Sequence, residues 1–535
     1  MSRTQPSRNR WPIFFSFIAI AAAFVTATIA SAQTPAQASP YIEHRWKEFQ
    51  ADPVKAMNTL PTKTVNGKAI ALPSFQLTPA QTKAFILKKS DARLMCDANG
   101  VCLKDVLEGR AAATTKAEDF FDLKEFKGKK PVLNLEEMEN QNLKESKLAE
   151  TPWSDTYWPI YQGILGARYA NQKFSGATNW KGFYDFISKG RQTLKAISDK
   201  ATPLNLETLS PSEKYDLLIG DLSGGTYDNG YLTPHMWQEG KEYWDDKGEV
   251  EPWMGICHGW APAAYMLPRP KKAIDVSSAD GKNSIRLYPS DIKGLTSYLW
   301  AKANTPSRFI GGRCNTKDPK TDPATGRVLD AGCFDTNPGN WHQIVVNQIG
   351  VAKKSFVMDA TYDYEVWNQP VYSYSYKYFN PQTGKSVSSL AKATVDVAKF
   401  TKDKFAKFRS KNAAKVVGIE MEVTYVVETQ PSHDTDDAPE KDATNSATYM
   451  YDLELDANGD IIGGEWYQNA HPDFMWSPTA DARAESFGDG QVGAGKWDAS
   501  QPLPQFWKDI AVATAVHGGM PLAAIVEGLI EASNK

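Results

Sequence analysis

The chain has 535 residues, is 41% hydrophobic and 23% charged, and carries a formal net charge of −3. That length allows about three domains, and that composition builds packed cores, which excludes a disordered or wholly membrane-embedded chain. A mildly acidic protein has no electrostatic reason to bind nucleic acid.

Arg3, Arg8 and Arg10 precede an apolar run from Ile13 to Ala30, followed by the small residues Ala30-Ser31-Ala32. This is the pattern of a secretory signal peptide cleaved after Ala32, and it places the mature protein in a periplasm or outside the cell. The alternative is an uncleaved anchor, since the run is nearly long enough to span a bilayer. Residues 33–150 form an N-terminal region or pro-segment, with Glu136–Glu150 as a solvated helix. Residues 151–400 read as an α+β catalytic domain in which short apolar strands alternate with helices. Within it, Trp341–Ile349 and Ser355–Ala360 read as neighbouring strands. Residues 401–535 read as a small β-rich domain with terminal helices. Val417–Glu428 has strand period, and a turn at Asp456–Asp460 joins Thr448–Leu455 to Ile461–Trp466 as a hairpin. The apolar stretch Ile510–Ile530 carries His517, Gly518, Gly519, Pro521 and Glu527. It reads as one or two packed helices, so no stable membrane insertion is expected once the signal peptide is gone.

Five cysteines leave one over. Cys96 and Cys102 flank an Asn-Gly turn suited to local closure. Pairing Cys314 with Cys333 would close about 20 residues, worth on the order of 3 kcal/mol in the chain-entropy model. Cys257 then remains, either buried and inert or kept free for chemistry. Gly255 permits close backbone approach before it, and Ala261–Leu267 continues as a helix, with Pro262 either in its first turn or kinking it. A thiol at a helix N-terminus feels the positive end of the macrodipole, and its pKa is expected to fall. His342 follows 85 residues later and Asp359 another 17 on. A strand-borne imidazole and a carboxylate on the next strand would serve as base and orienting group. The bland readings are a histidine satisfied in a core and an aspartate capping a strand end. His258, next to the thiol, reads as a neighbour rather than the base. The backbone N–H of Cys257 is the natural oxyanion donor, and Gln238 is the nearest upstream glutamine that could add a second. Trp253, Trp260 and Trp341 either wall a substrate cleft or fill ordinary core. Asp456-Ala-Asn-Gly-Asp460 imitates the start of a calcium loop and fails it later, with Ile461 and Tyr467 where Gly and Glu belong. The acidic loop Asp434–Asp437 could hold a hard cation but reads as solvated.

Three segments resemble a known family: WMGICHGWAPAA (Trp253–Ala264), NPGNWHQIVVNQIG (Asn337–Gly350) and FVMDATYDYEVWNQPV (Phe356–Val371). They are similar to the secreted transglutaminase elicitors of oomycetes and their bacterial relatives. The likeness spans roughly Pro152 to Val371, with weaker echoes at Asp456–Trp466. It implies a papain-like catalytic core and calcium-dependent cross-linking of protein glutamine and lysine side chains. It also implies Cys257 as nucleophile, His342 as base and Asp359 as orienting group. Val366–Val371 resembles the opening of the family's surface elicitor peptide, but the chain then continues Tyr-Ser-Tyr-Ser-Tyr-Lys, a departure from that peptide. A cysteine protease or amidase would share the acylation step. A non-enzymatic recognition module on the same scaffold would not use the thiol.

Overall fold

In a computed structural model the chain is described over residues 39–59, 62–65, 68–71, 116–189, 206–221, 230–312, 319–330, 333, 336–361, 365–493 and 497–535. The proposed signal peptide, Cys96, Cys102 and Cys314 lie outside these residues.

Alternating apolar residues along residues 368–380, 415–427 and 443–455 drive three thirteen-residue strands into antiparallel register. Around them the described residues form a ten-stranded sheet. Its strands are β1 Glu145–Lys147, β2 Ser307–Gly311, β3 Val357–Asp359, β4 Asn368–Asn380, β5 Lys385–Val387, β6 Thr394–Asp396, β7 Lys415–Val427, β8 Ala443–Leu455, β9 Ile461–Trp466 and β10 Phe474–Pro478. The order is β9-β8-β7-β4-β3-β10-β2, with β6 beside β7 and both β1 and β5 beside β4. The expected strand over Val417–Glu428 and the expected hairpin after it are both present as β7 and β8–β9.

The helices that frame the site are α1 Pro211–Ile219, α2 Thr233–Lys247, α3 Cys257–Met266, α4 Pro289–Lys302, α5 Pro338–Val345, α6 Gln505–Gly518 and α7 Ala523–Ser533. Ser210 and Glu213 close α1 with a capping box: the Ser210 hydroxyl accepts from the Glu213 N–H at 3.3 Å, and the Glu213 carboxylate accepts from the Ser210 N–H at 3.0 Å. Helix α3 lies hard against α4, because a Cβ at Gly259 would sit 2.1 Å from the Ser297 carbonyl oxygen. Two fully buried ion pairs tie this helical layer together: Lys214–Asp291 at 2.6 Å and Arg168–Glu213 at 2.6 Å. The apolar stretch near the C-terminus is the bent pair α6–α7, and no single described helix is long and apolar enough to cross a membrane.

Three expectations change. Trp341–Ile349 is not a strand: it is α5, continued by a π-helical turn over Val346–Ala352. Asn337 caps this helix through its side chain, and Pro338 occupies the first position, where its missing N–H costs nothing. Glu136–Glu150 is only a short helix, Leu135–Asn140, followed by β1. The boundary expected at residue 400 runs through one sheet, since β7–β10 and β2–β4 are neighbours in it. Residues 38–535 form one compact unit, and Phe120, Phe126, Leu135 and Met138 share the sheet's apolar core.

Candidate active site

Helix α3 begins at Cys257 itself, so the thiol occupies the first helical position and Pro262 the helix interior. The preceding turn is pinned by the Ile256 N–H donating to the Tyr157 carbonyl at 2.7 Å. Gly255 is required there, since a Cβ would lie 2.3 Å from that same oxygen. On the far side Trp260 Nε1 donates to the Trp153 carbonyl at 2.9 Å, which fixes the helix against the chain entering the domain.

The thiol is free and buried. It points at the start of β4, against which α3 packs. The Asn368 amide donates from Nδ2 to Sγ at 3.5 Å, and the Asn368 backbone N–H points to the same sulfur. The thiol lies 3.7 Å from the Val366 carbonyl, its acceptor. Trp476 Nε1, on β10, donates to Asn368 Oδ1 at 2.8 Å. That bond fixes which end of the amide faces the sulfur, because an indole N–H can only donate. Asn368 therefore presents two donors to a sulfur anion, or to an oxyanion formed beside it.

Burial nevertheless pushes the Cys257 thiol up to about 11, outweighing the Asn368 donors, while the nearby Glu428 and Asp359 charges add to the rise. The expected fall in pKa does not occur. A helix end contributes about 0.3–1 kcal/mol, less than one pH unit, and desolvation is larger.

Asp359 ends β3 directly opposite Asn368 in the ladder, so the two side chains share a face. Its Oδ1 accepts from the Thr361 N–H at 3.2 Å, the Thr361 hydroxyl at 2.8 Å and the Trp367 N–H at 3.0 Å. The carboxylate thereby holds the turn that delivers Val366 and Asn368 to the sulfur. Beside the site Tyr157 and Trp367 meet edge to face, with ring centroids 5.2 Å apart. Glu428 follows the last residue of β7 and accepts from Gln369 Nε2 at 2.8 Å. Burial raises its carboxyl to about 7.

His342 is not at this site. On α5 its Nδ1 lies 2.9 Å from the Tyr451 hydroxyl, and its ring centroid lies 4.8 Å from that of Tyr376. Tyr376 stands eight residues along β4 from Asn368, about 26 Å at strand rise. The imidazole therefore cannot reach Sγ. Burial alone drives its pKa down to about 3, so it is a neutral core group.

The remaining expected residues divide in the same way. Trp341 is fully buried in the sheet core, with its ring 5.4 Å from Tyr449, and walls no cleft. Trp260 is fully buried, while Trp253, half-buried, donates from its indole to Glu251. Gln238 is an exposed residue of α2, and the amide found at the sulfur is that of Asn368. Cys333 is disulfide-bonded. The carboxylates considered for calcium do not fit an ion. Asp456 Oδ1 accepts backbone N–H groups of Asn458 and Asp460 at 2.8 and 3.0 Å. Asp434 and Asp436 pair with Lys441, and Asp437 with Arg269 and Lys293. Among the described residues no group of three or more His, Cys, Asp or Glu could hold a metal.

Sequence reasoning missed Asn368, Gln369, Glu428, Trp476 and Tyr157. The first two lie within Val366–Val371, the stretch likened to a surface peptide. Here Asn368, Gln369 and Val371 are buried, and the segment forms one wall of the thiol site.

Residues 240–493 match the transglutaminase elicitor family, as the motifs suggested. The match contains Cys257, Asp359, Asn368, Glu428 and Trp476. The GP42 transglutaminase from Phytophthora sojae, a crystal structure, aligns over 76% of this chain and 99% of its own at 22% identity and a TM-score of 0.41. No curated protein matches the chain significantly.

Proposed function

We propose, from the transglutaminase elicitor family that residues 240–493 match, that this chain is an exported transglutaminase-like cysteine acyltransferase. The observation that carries the reading is a free thiol at the head of α3 facing two donors from Asn368. A nucleophile at a helix end packed on an antiparallel sheet is also the feature that supports a papain-like core.

In the proposed reaction Sγ attacks the carboxamide carbon of a protein glutamine. The C–S bond forms, the C–N bond breaks, and ammonia leaves. Asn368 and the Cys257 N–H stabilise the oxyanion. Tyr157 and Trp367 cover the thioester and restrict water, so that a lysine amine takes the acyl group. The thiol is released as the isopeptide bond forms.

The test is incorporation of a fluorescent primary amine into casein by wild-type protein and by Cys257→Ala. Incorporation that needs Cys257 supports the reading. Cleavage of casein without incorporation would favour a cysteine protease. A folded protein with neither activity, whose thiol resists iodoacetamide, would favour a recognition module.

A further inference from the structure

An acyl transfer must move protons, and a thiol raised to about 11 cannot ionise unaided at neutral pH. Imidazole is the usual carrier, yet each of the seven histidines is placed elsewhere. His342 bonds Tyr451. The His258 ring faces Lys302, Glu239 and the Ala301 backbone of the helical layer. His235 bonds the Val516 carbonyl. His433 packs on Tyr169 and Tyr288. His471 stacks on Trp466. His44 pairs with Glu48, and His517 is exposed on α6.

The groups that do surround the thiol are acidic. Asp359 is across the ladder, but three donors bind one of its oxygens. Those donors tie the carboxylate to the turn before β4, a positioning role. Glu428 differs. The β7–β4 ladder runs to Tyr425 opposite Val371, so the chain leaves β7 beside the Asn368–Gln369 end of β4. Gln369 holds the Glu428 carboxylate there at 2.8 Å. It is half-buried, and its charge acts on Cys257, Tyr157 and Tyr425. The thiol also feels Asp359, and the Tyr157 phenol also feels Glu365. Among the described residues, the largest charges acting on the thiol are the acids Glu428 and Asp359.

We infer that Glu428 is the acid–base group of the transfer. The inference rests on the transglutaminase-like reading. As Sγ attacks, its proton passes to the Glu428 carboxylate, directly or through one water. The carboxylic acid then protonates the departing nitrogen, which leaves as ammonia. In the second half the incoming ammonium yields one proton to solvent and attacks as the amine. Its second proton goes to Glu428, and from there to the sulfur as the C–S bond breaks. Every proton taken from the thiol is returned.

Glu428→Gln and Glu428→Asp, compared with wild type, test this through two readouts. Amine incorporation by Glu428→Gln is expected to fall on the order of 100-fold and to lose the rise through about pH 7 that the raised carboxyl gives wild type. Glu428→Asp should recover part of the rate. Alkylation of Cys257 by iodoacetamide at pH 8 should instead become faster in Glu428→Gln, because no carboxylate opposes the thiolate. A purely structural role would lower both rates together, and that result overturns the inference. So does incorporation within twofold of wild type with an unchanged pH profile. If wild type incorporates no amine, the transferase reading fails. Alkylation then decides the placement alone: an unchanged rate in Glu428→Gln removes Glu428 from the thiol, and a faster one keeps it there.

Discussion

The thiol and the imidazole that lie 85 residues apart in sequence occupy two chemically opposite regions of the same sheet. At one end of β4 Cys257 meets the Asn368 donors, feels the Glu428 and Asp359 charges and lies by the half-exposed Tyr157–Trp367 pair. Far along the strand His342 is enclosed by Tyr376, Tyr451 and aliphatic core, with no charge acting on it. Both residues are buried, so burial alone does not identify a reactive group. The presence of convergent polar partners does. In the first region the Asn368 side chain and its backbone N–H aim at one sulfur atom. In the second, one hydroxyl bonds Nδ1 and the buried Nε2 has no partner among the described residues.

Substitutions separate these regions. Cys257→Ala removes the nucleophile at the head of α3 and should abolish amine incorporation while the far-UV spectrum and melting cooperativity persist. Asn368→Ala takes a donor from the sulfur and should cut incorporation on the order of 100-fold. It also strands the Trp476 indole, at about 1–3 kcal/mol in denaturant unfolding. Trp476→Phe leaves the amide in place without its anchor. Roughly a tenfold loss of kcat is expected, with KM nearly unchanged. Tyr451→Phe removes the partner of His342 and should cost about 1–3 kcal/mol of stability, with the activity of the folded protein unaltered.

Much of this was legible in the sequence. The period of Val417–Glu428 gave its strand, the Asn-Gly turn gave the β8–β9 hairpin, and Gly255 marked a close backbone approach that the Tyr157 carbonyl requires. Residues 341–349 misled because Ile344, Val345 and Val346 resemble a buried strand, and short apolar runs do not separate strand from helix. The Asn337-Pro338 cap was the signal against it. Asn368 and Glu428 were invisible for another reason. Asn368 meets the thiol, and Glu428 meets Gln369, only when segments 111 and 59 positions apart pack together, and no local pattern encodes register at that range.

The separation of thiol from imidazole is tested most directly with His342→Gln, assayed for amine incorporation per folded molecule and for stability against pH. His342 is held neutral in the fold down to about pH 3, whereas an unfolded histidine takes up its proton near 6.5. Its stabilising contribution is thus complete above about 6.5 and is lost as the pH falls toward 3. The substitution should flatten that acid loss and leave incorporation at the wild-type rate. Folded His342→Gln as inactive as Cys257→Ala would contradict the account and return the imidazole to the reaction.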